Sequence, residues 1–291
     1  MKNKGRYLNL LGVLLGIITF GIIIFSIIYL THYRPFRQWR DFDFTEERAF
    51  TPWEGLEGEE RIDVKINSIE VRNTSGRIEI KGWNNDYILV KYIKRGPFAE
   101  DLQINVETTG SRLSVYPEGI MAKRRSFVSV SFDISVPNDI EKIDAGSVSG
   151  SLELSGMSAR TDQRLKTVSG KIQTDNSRDL HATTTSGSIK FRSSGTKLYA
   201  KTVSGSIQGN ILDLEDRGSV ELVSVSGSIN VNAFSDLSAM VNLKSTSGSV
   251  YCGFPLETTL KKKNQLEGKI STGVVPFNVK TTSGSIKLEI L

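Results

Sequence analysis

The sequence predicts an all-β fold of stacked repeats, a β-solenoid or closely related stacked-hairpin sheet, preceded by one N-terminal transmembrane helix. Three observations carry that prediction. A phrase of the form Thr-Val-Ser-Gly-Ser-Ile, as at Thr202 to Ile207, recurs along the C-terminal half. Its central glycines are Gly150, Gly170, Gly187, Gly205, Gly227, Gly248, Gly268 and Gly284, at spacings of 20, 17, 18, 22, 21, 20 and 16 residues. Self-similarity at a period near twenty residues marks a repeat architecture. The third observation is an uncharged run of 23 residues, Leu8 to Leu30, long enough to span a bilayer as a helix.

Residues 1–7 form a basic tail, followed by the span 8–30. Its length exceeds that of a signal-peptide core and no small-residue cleavage site follows, so the sequence predicts an uncleaved anchor. Residues 31–60 read as a juxtamembrane linker, with Arg34, Arg37 and Arg40 among aromatic residues and a run of glutamates (Glu54, Glu57, Glu59, Glu60) at its end. Basic residues flank the span on both sides. A large C-terminal domain can translocate whatever its charge, which places the repeat domain outside.

The β-domain is predicted over 61–291. It opens with alternating segments at Ile62 to Ile66 and Ile69 to Val71, and a further copy of the phrase runs from Asn73 through Gly76 to Ile80. Longer strands are expected at 86–93, 102–107, 112–116 and 127–136. They begin or cap the stack, because terminal repeats are atypical.

Within one copy, take the glycine as position zero. Position +2 is aliphatic in all eight copies: Leu152, Ile172, Ile189, Ile207, Ile229, Val250, Ile270 and Ile286. With apolar residues also common at +4, this period-two pattern indicates a half-buried strand after the glycine and one shared column of side chains. Position −5 is mostly apolar and −2 mostly β-branched, yet they differ by an odd number. Both cannot face one core on a flat strand. The chain must bend between them or at Ser-Gly, where glycine tolerates φ > 0 and the serine can bond the local backbone. One copy has too little apolar surface to fold alone, and stacked copies share a core. An ordinary antiparallel sandwich with Ser-Gly turns is the alternative.

The formal net charge of +5 is concentrated at the front: Lys2, Lys4, Arg6, Arg34, Arg37 and Arg40 precede the first acid, Asp41, and the remainder nets −1. A near-neutral domain does not argue for nucleic acid. Cys252 is the single cysteine, so no intramolecular disulfide exists, and its +4 position predicts a buried free thiol. The two histidines, His32 and His181, belong to no metal-binding motif, and no phosphate-binding loop or nucleophile elbow occurs. No cofactor is expected. Asp175, Asp179, Asp213, Glu215 and Asp216 are the acidic residues from which a glycosidase pair could be drawn; solvated turns and connections, which usually carry such acids, are the plainer reading.

At −4 stand Gly146, Lys166, Thr183, Lys201, Val223, Lys244, Asn264 and Lys280. If each copy is one rung, in sequence order, Lys166, Lys201, Lys244 and Lys280 form a stripe with charges about 9.6 Å apart, twice the strand spacing. Such a stripe suits an anionic envelope polymer or lipid headgroups; a solvent-facing lysine position is the plainer reading.

The order Ser68-Ile69-Glu70-Val71, Ser75-Gly76-Arg77-Ile78-Glu79-Ile80, a strand ending Ile134-Ser135-Val136-Pro137, then repeated Val-Ser-Gly-Ser-Ile resembles the bacterial putative-adhesin domain, also called toastrack, over roughly Arg61 to Leu291. The resemblance implies a bacterial envelope protein without enzyme activity, connected with adhesion or envelope-stress sensing, and carries over no catalytic residue. Three readings follow. One is a membrane-anchored, non-enzymatic envelope protein that meets lipid through its helix and an envelope polymer or another envelope protein through its repeats. Another is a self-assembling scaffold, hence a homo-oligomer, if Lys280 to Leu291 is an uncapped edge. The last is a polysaccharide-active β-helix enzyme.

Overall fold

The computed structural model describes residues 55–119 and 128–291. The predicted tail, membrane span and linker up to residue 54 lie outside the described residues. Those that are described form 21 strands and no helix.

Alternation decides which side of each strand is buried, and the corner decides where the chain turns. In β10 (Asp162–Ser169) the buried positions are Gln163, Leu165 and Thr167; after the corner, in β11 (Ile172–Asp175), they are Ile172 and Thr174. Positions −5 and −3 therefore face inward before the glycine, and +2 and +4 face inward after it. The change of parity falls at Ser-Gly, one of the two places the sequence allowed. The β-branched residues at −2 point outward: Val148, Val168, Val203 and Val225 are 52%, 45%, 42% and 42% exposed.

Each rung is thus a strand, a corner and a second strand. The first strands build one leaf and the second strands another, with a single buried cluster between them. The rungs at the N-terminal end and middle are β2 (Ser68–Ser75) with β3 (Ile78–Trp83), β8 (Lys142–Ser149) with β9 (Leu152–Ser155), and β10 with β11. Next comes β12 (Asp179–Ser186), which turns into the start of β13 (Ile189–Ser204). The end of β13 turns into the start of β14 (Ile207–Ser226), and the end of β14 into β15 (Ile229–Ala233). All these neighbours pair in parallel with their corners aligned, and the β13–β14 pair takes up extra residues in register shifts at Ser193/Ser194 and Gly195/Lys197.

The glycine is required chiefly by the closeness of the rungs. A Cβ on Gly187 would lie 2.0 Å from the carbonyl oxygen of Gly170, and the same 2.0 Å separates Gly170 from Gly150 and Gly227 from Gly205. Positive φ occurs at only some corners, as at Gly76 (107°), so the left-handed conformation is not the general reason. The Gly187 N–H donates to the Ser204 carbonyl of the next rung at 3.0 Å. The serine before the glycine thus serves through its backbone, between rungs. The side chain that seals the corner is the buried one at −3. Thr184 Oγ1 donates to Gly170 O at 3.3 Å, Thr202 to Gly187 O at 3.0 Å, Ser224 to Gly205 O at 3.2 Å and Thr281 to Gly227 O at 3.0 Å. Such a bond satisfies a carbonyl lone pair while hiding the hydroxyl.

Both ends depart from this pattern. At the N-terminal end, β7 (Ser129–Pro137) extends the second leaf beside β3, followed by β4 (Ile88–Arg95) and β1 (Leu56–Ile62) in antiparallel pairing. Strand β1 lies partly inside the stretch read as linker, and the segment after it, 63–67, is not a strand. The hairpin of β5 (Gln103–Thr109) and β6 (Arg112–Glu118) extends the first leaf beside β2.

At the C-terminal end the order of rungs is not the order of the sequence. Strands β20 (Val275–Ser283) and β21 (Ile286–Ile290) slot between β14/β15 and the earlier rung made by β16 (Ala239–Ser245) and β17 (Val250–Cys252). Lys280 to Leu291 is therefore no edge: both of its strands have partners on either side, and the scaffold reading built on it falls. The copy around Gly268 is not a rung either. Strand β19 (Gln265–Ile270) runs antiparallel between β16 and β18 (Glu257–Lys262), with Gly268 in mid-strand opposite Val241. A corner needs a partner corner at the same height, and the antiparallel direction of β19 provides none.

The column at +2 runs in space through Phe132, Ile78, Leu152, Ile172, Ile189, Ile207, Ile229, Ile286 and Val250. Leu152 to Ile229 are 0% exposed and Ile286 2%, while Val250 at the open end is half-buried. Ile270 is buried but belongs to the β19 hairpin, outside the column.

Candidate functional site

The outer face of the first leaf carries positions −2, −4 and −6. The pairings fix the order along the −4 row as Arg72, Gly146, Lys166, Thr183, Lys201, Val223, Lys280 and Lys244. Two features differ from the sequence reading. Lys280 and Lys244 exchange places and become neighbours, because the last rung slots in before the one that precedes it. Arg72 joins the row through the first copy of the phrase, around Gly76. Lys166 and Lys201, and Lys201 and Lys280, are two rungs apart, about 9.6 Å, and Lys244 stands one rung beyond, about 4.8 Å. Asn264, placed at −4 by the degenerate copy, is not in the row; its amide donates to Ser245 O at 3.1 Å.

Arg72 is spoken for: it pairs with Glu70 at 2.9 Å and with Asp144 at 2.8 Å. Lys166, Lys201, Lys244 and Lys280 are exposed and, among the described residues, have no ion-pair partner. On the corner side runs the −2 row with its four exposed valines, at rungs where Val148, Val168, Val203 and Val225 replace the Thr74, Thr185, Thr282 and Thr246 of the others. On the far side runs the −6 row. Over the six rungs from Arg164 onward it holds Arg164, His181, Tyr199, Glu221, Asn278 and Asn242, so one carboxylate faces four lysines and an arginine. His181 and Tyr199 stack at 4.6 Å between ring centroids. Burial, then the charge of Arg164, lowers the His181 pKa; burial, then Glu221, raises that of Tyr199.

The valine row is not legible in the sequence pattern, because β-branching at −2 marks a strand former without fixing the side it faces. The parity of the buried −3 hydroxyls was the signal that places −2 outside.

Three of the five acidic residues singled out in the sequence accept backbone N–H groups. Asp179 accepts the Lys197 N–H, Asp213 the Leu214 N–H and Asp175 the Gly156 N–H. Among the described residues no group of three or more His, Cys, Asp or Glu is placed to hold a metal ion. Cys252 is a free thiol at the half-buried open end of the second leaf, and burial raises its pKa.

No curated protein matches the chain. Among solved structures, one described as a "putative adhesin" from Bacteroides fragilis NCTC 9343 is similar at 14% identity and a TM-score of 0.45, covering 81% of this chain and 97% of that one. A "putative cell adhesion protein" from Clostridium sporogenes ATCC 15579 is similar at 11% identity and a TM-score of 0.41, covering 81% and 100%. A "putative lipid binding protein" from Parabacteroides distasonis ATCC 8503 is similar at 12% identity and 0.36, covering 82% and 96%. The assignment does not rest on these. The profile of the Toastrack DUF4097 family matches residues 63–289, nearly the whole of the described chain. The chain therefore belongs to the Toastrack DUF4097 family, as an all-β repeat domain.

Proposed function

We propose that the chain is a single-pass envelope protein, held in the membrane by residues 8–30, whose repeat domain lies outside and binds an anionic component of the envelope through the outer face of its first leaf. The observation that carries this reading is the row of four exposed lysines that have no ion-pair partner among the described residues. Like charges directly opposite on adjacent strands destabilise a sheet, and Lys280 and Lys244 stand so, with no acid between them. A surface selected for stability alone would intersperse acids there. The uncharged run at the N-terminus supports the anchor, and the family assignment supports a binding rather than a catalytic role. Adhesion and envelope sensing would both begin with this contact.

The test uses the full-length protein in detergent micelles and a variant with Lys166, Lys201, Lys244 and Lys280 replaced by glutamine. Retention on purified cell-wall polymer is measured across a range of salt. Each lysine near an anionic surface contributes about 1 kcal/mol, so the variant should bind at least roughly tenfold more weakly at low salt. Retention by the parent should fade as salt screens the contact. Equal retention of both proteins would refute the role of the row. Digestion of the domain by protease added to intact cells, or to spheroplasts where an outer membrane is present, tests the topology; complete protection before lysis would contradict it.

A further inference from the structure

The lysine row has a neighbour that charge alone does not explain. Val148, Val168, Val203 and Val225 stand two residues along each strand from the −4 row, on the same face, at 52%, 45%, 42% and 42% exposure. In the other four rungs the same position is threonine, so the fold does not require valine there. Both rows run parallel to the stack. Over the eight rungs, seven spacings of about 4.8 Å give a surface about 34 Å long.

Resting on the binding role proposed above, we infer that the ligand is a linear phosphodiester polymer with a carbon-based spacer, lying along the stack with its phosphates on the lysine row and its CH groups on the valine row. Three features select this class. Among the described residues the free cations of the row itself are lysines; Arg72, its one arginine, is held by Glu70 and Asp144, and the unpaired Arg164 lies outside the row, at −6. Lysine meets an anion as a point charge, without the fixed fork of arginine, and so can follow the phosphates of a flexible chain. The charges lie in one line at one- and two-rung intervals, and long lysine stems can follow a chain whose repeat does not match the rungs. The valines offer a narrow, flat apolar strip, suited to the edge of a chain. They are too small and too close to the sheet to anchor in a bilayer, where Trp, Phe and Leu serve that purpose.

Several sites on one chain make binding depend on length, because each contact after the first is intramolecular. The experiment uses the full chain in phosphatidylcholine nanodiscs and four probes. These are poly(glycerol phosphate) shorter and longer than the row, inorganic polyphosphate as long as the row, and phosphatidylglycerol vesicles. It compares the parent, the four-lysine glutamine variant, and a variant with Val148, Val168, Val203 and Val225 changed to threonine; thermal melting confirms that each is folded. The long glycerol polymer should bind at least about tenfold more tightly than the short one. The glutamine variant should lose both polymers. The threonine variant should bind the glycerol polymer severalfold more weakly and polyphosphate, which has no carbon, unchanged. If length and the valine changes have no effect while the glutamine variant still loses binding, the polymer assignment is overturned and the anion-binding face stands. Vesicles bound as tightly as the long polymer, with the same loss in the glutamine variant, would assign the face to lipid headgroups instead. Unchanged binding of every probe by the glutamine variant would overturn the binding face itself.

Discussion

The middle of the stack and its C-terminal end are written in the same phrase and built differently. From Lys142 to Ala233 each copy packs on the one before it, so the order of the rungs is the order of the sequence. After Ala233 the chain makes a rung at 239–252, leaves it through the β18–β19 hairpin, and returns to lay its last rung between that one and the stack. The comparison separates two kinds of information. The phrase encodes a corner: buried hydroxyl, exposed β-branched residue, serine, glycine, serine, buried aliphatic. It does not encode which corner sits on which, because every corner offers the same carbonyl and the same aliphatic side chain to any neighbour.

The largest effect expected in the middle of the stack is at the corner glycine. Changing Gly187 to alanine drives a Cβ to within 2.0 Å of a backbone oxygen, so two rungs must move apart. A loss of more than about 3 kcal/mol in denaturant unfolding is expected. Gly146, on the open face of the neighbouring region, meets only the flexible end of Arg72 at 3.2 Å, and its change to alanine should be nearly neutral. Equal effects at the two glycines would mean that rung contact does not set the residue.

The column gives the next comparison. Ile207→Ala, 0% exposed between two rungs, should cost about 2–5 kcal/mol. Val250→Ala, half-buried on the short strand β17 with a paired strand on one side and only the Lys263 carbonyl on the other, should cost about 1 kcal/mol or less. Chemical unfolding of the two variants would show whether the column weakens towards its open end; a costlier Val250 change would place that end inside the core.

The smallest effects belong to the hydroxyls at −3. Thr202→Val removes the bond to Gly187 O and should cost about 1–2 kcal/mol, leaving a buried carbonyl short of a partner. Ser147 occupies the same position at the N-terminal end, where its buried hydroxyl has no hydrogen-bond partner among the described residues. Ser147→Ala should leave stability unchanged or raised. In the neighbouring rung Asn73 turns its amide to Val130 O at 2.7 Å, on the side away from Ser147. Similar losses from both changes would remove the hydrogen bond as the reason for the Ser/Thr position.

Much of this fold was legible in the residues. Alternation gave the strands on either side of the corner, and the odd interval between −5 and −2 required the bend. The −3 hydroxyls were visible but unassigned, since an inward serine or threonine has meaning only once the carbonyl of the preceding rung is known to lie about 3 Å away. Gly268 resembles a corner in sequence because its neighbours Leu266 and Ile270 keep the apolar spacing of a copy, while the strand runs the other way. The exchange of Lys244 and Lys280 was beyond reach for a stronger reason: stacking order depends on pairing between segments far apart in sequence, which no local pattern contains. The candidate face was half legible, its lysines from their register and its valines hidden until each side chain had a direction.

The order of the last two rungs is the claim on which both the fold and the line of charges depend, and paired cysteines test it directly. In a Cys252→Ser background, Val223→Cys with Lys280→Cys and Lys280→Cys with Lys244→Cys join residues in register on adjacent strands, about 4.8 Å apart and within disulfide reach. Val223→Cys with Lys244→Cys are separated by the intervening strand β20, at about 9.6 Å, beyond that reach. Mild oxidation of the folded protein should close the first two pairs and leave the third open. Closure of the Val223–Lys244 pair, with Val223–Lys280 left open, would put the rungs in sequence order and contradict the structure.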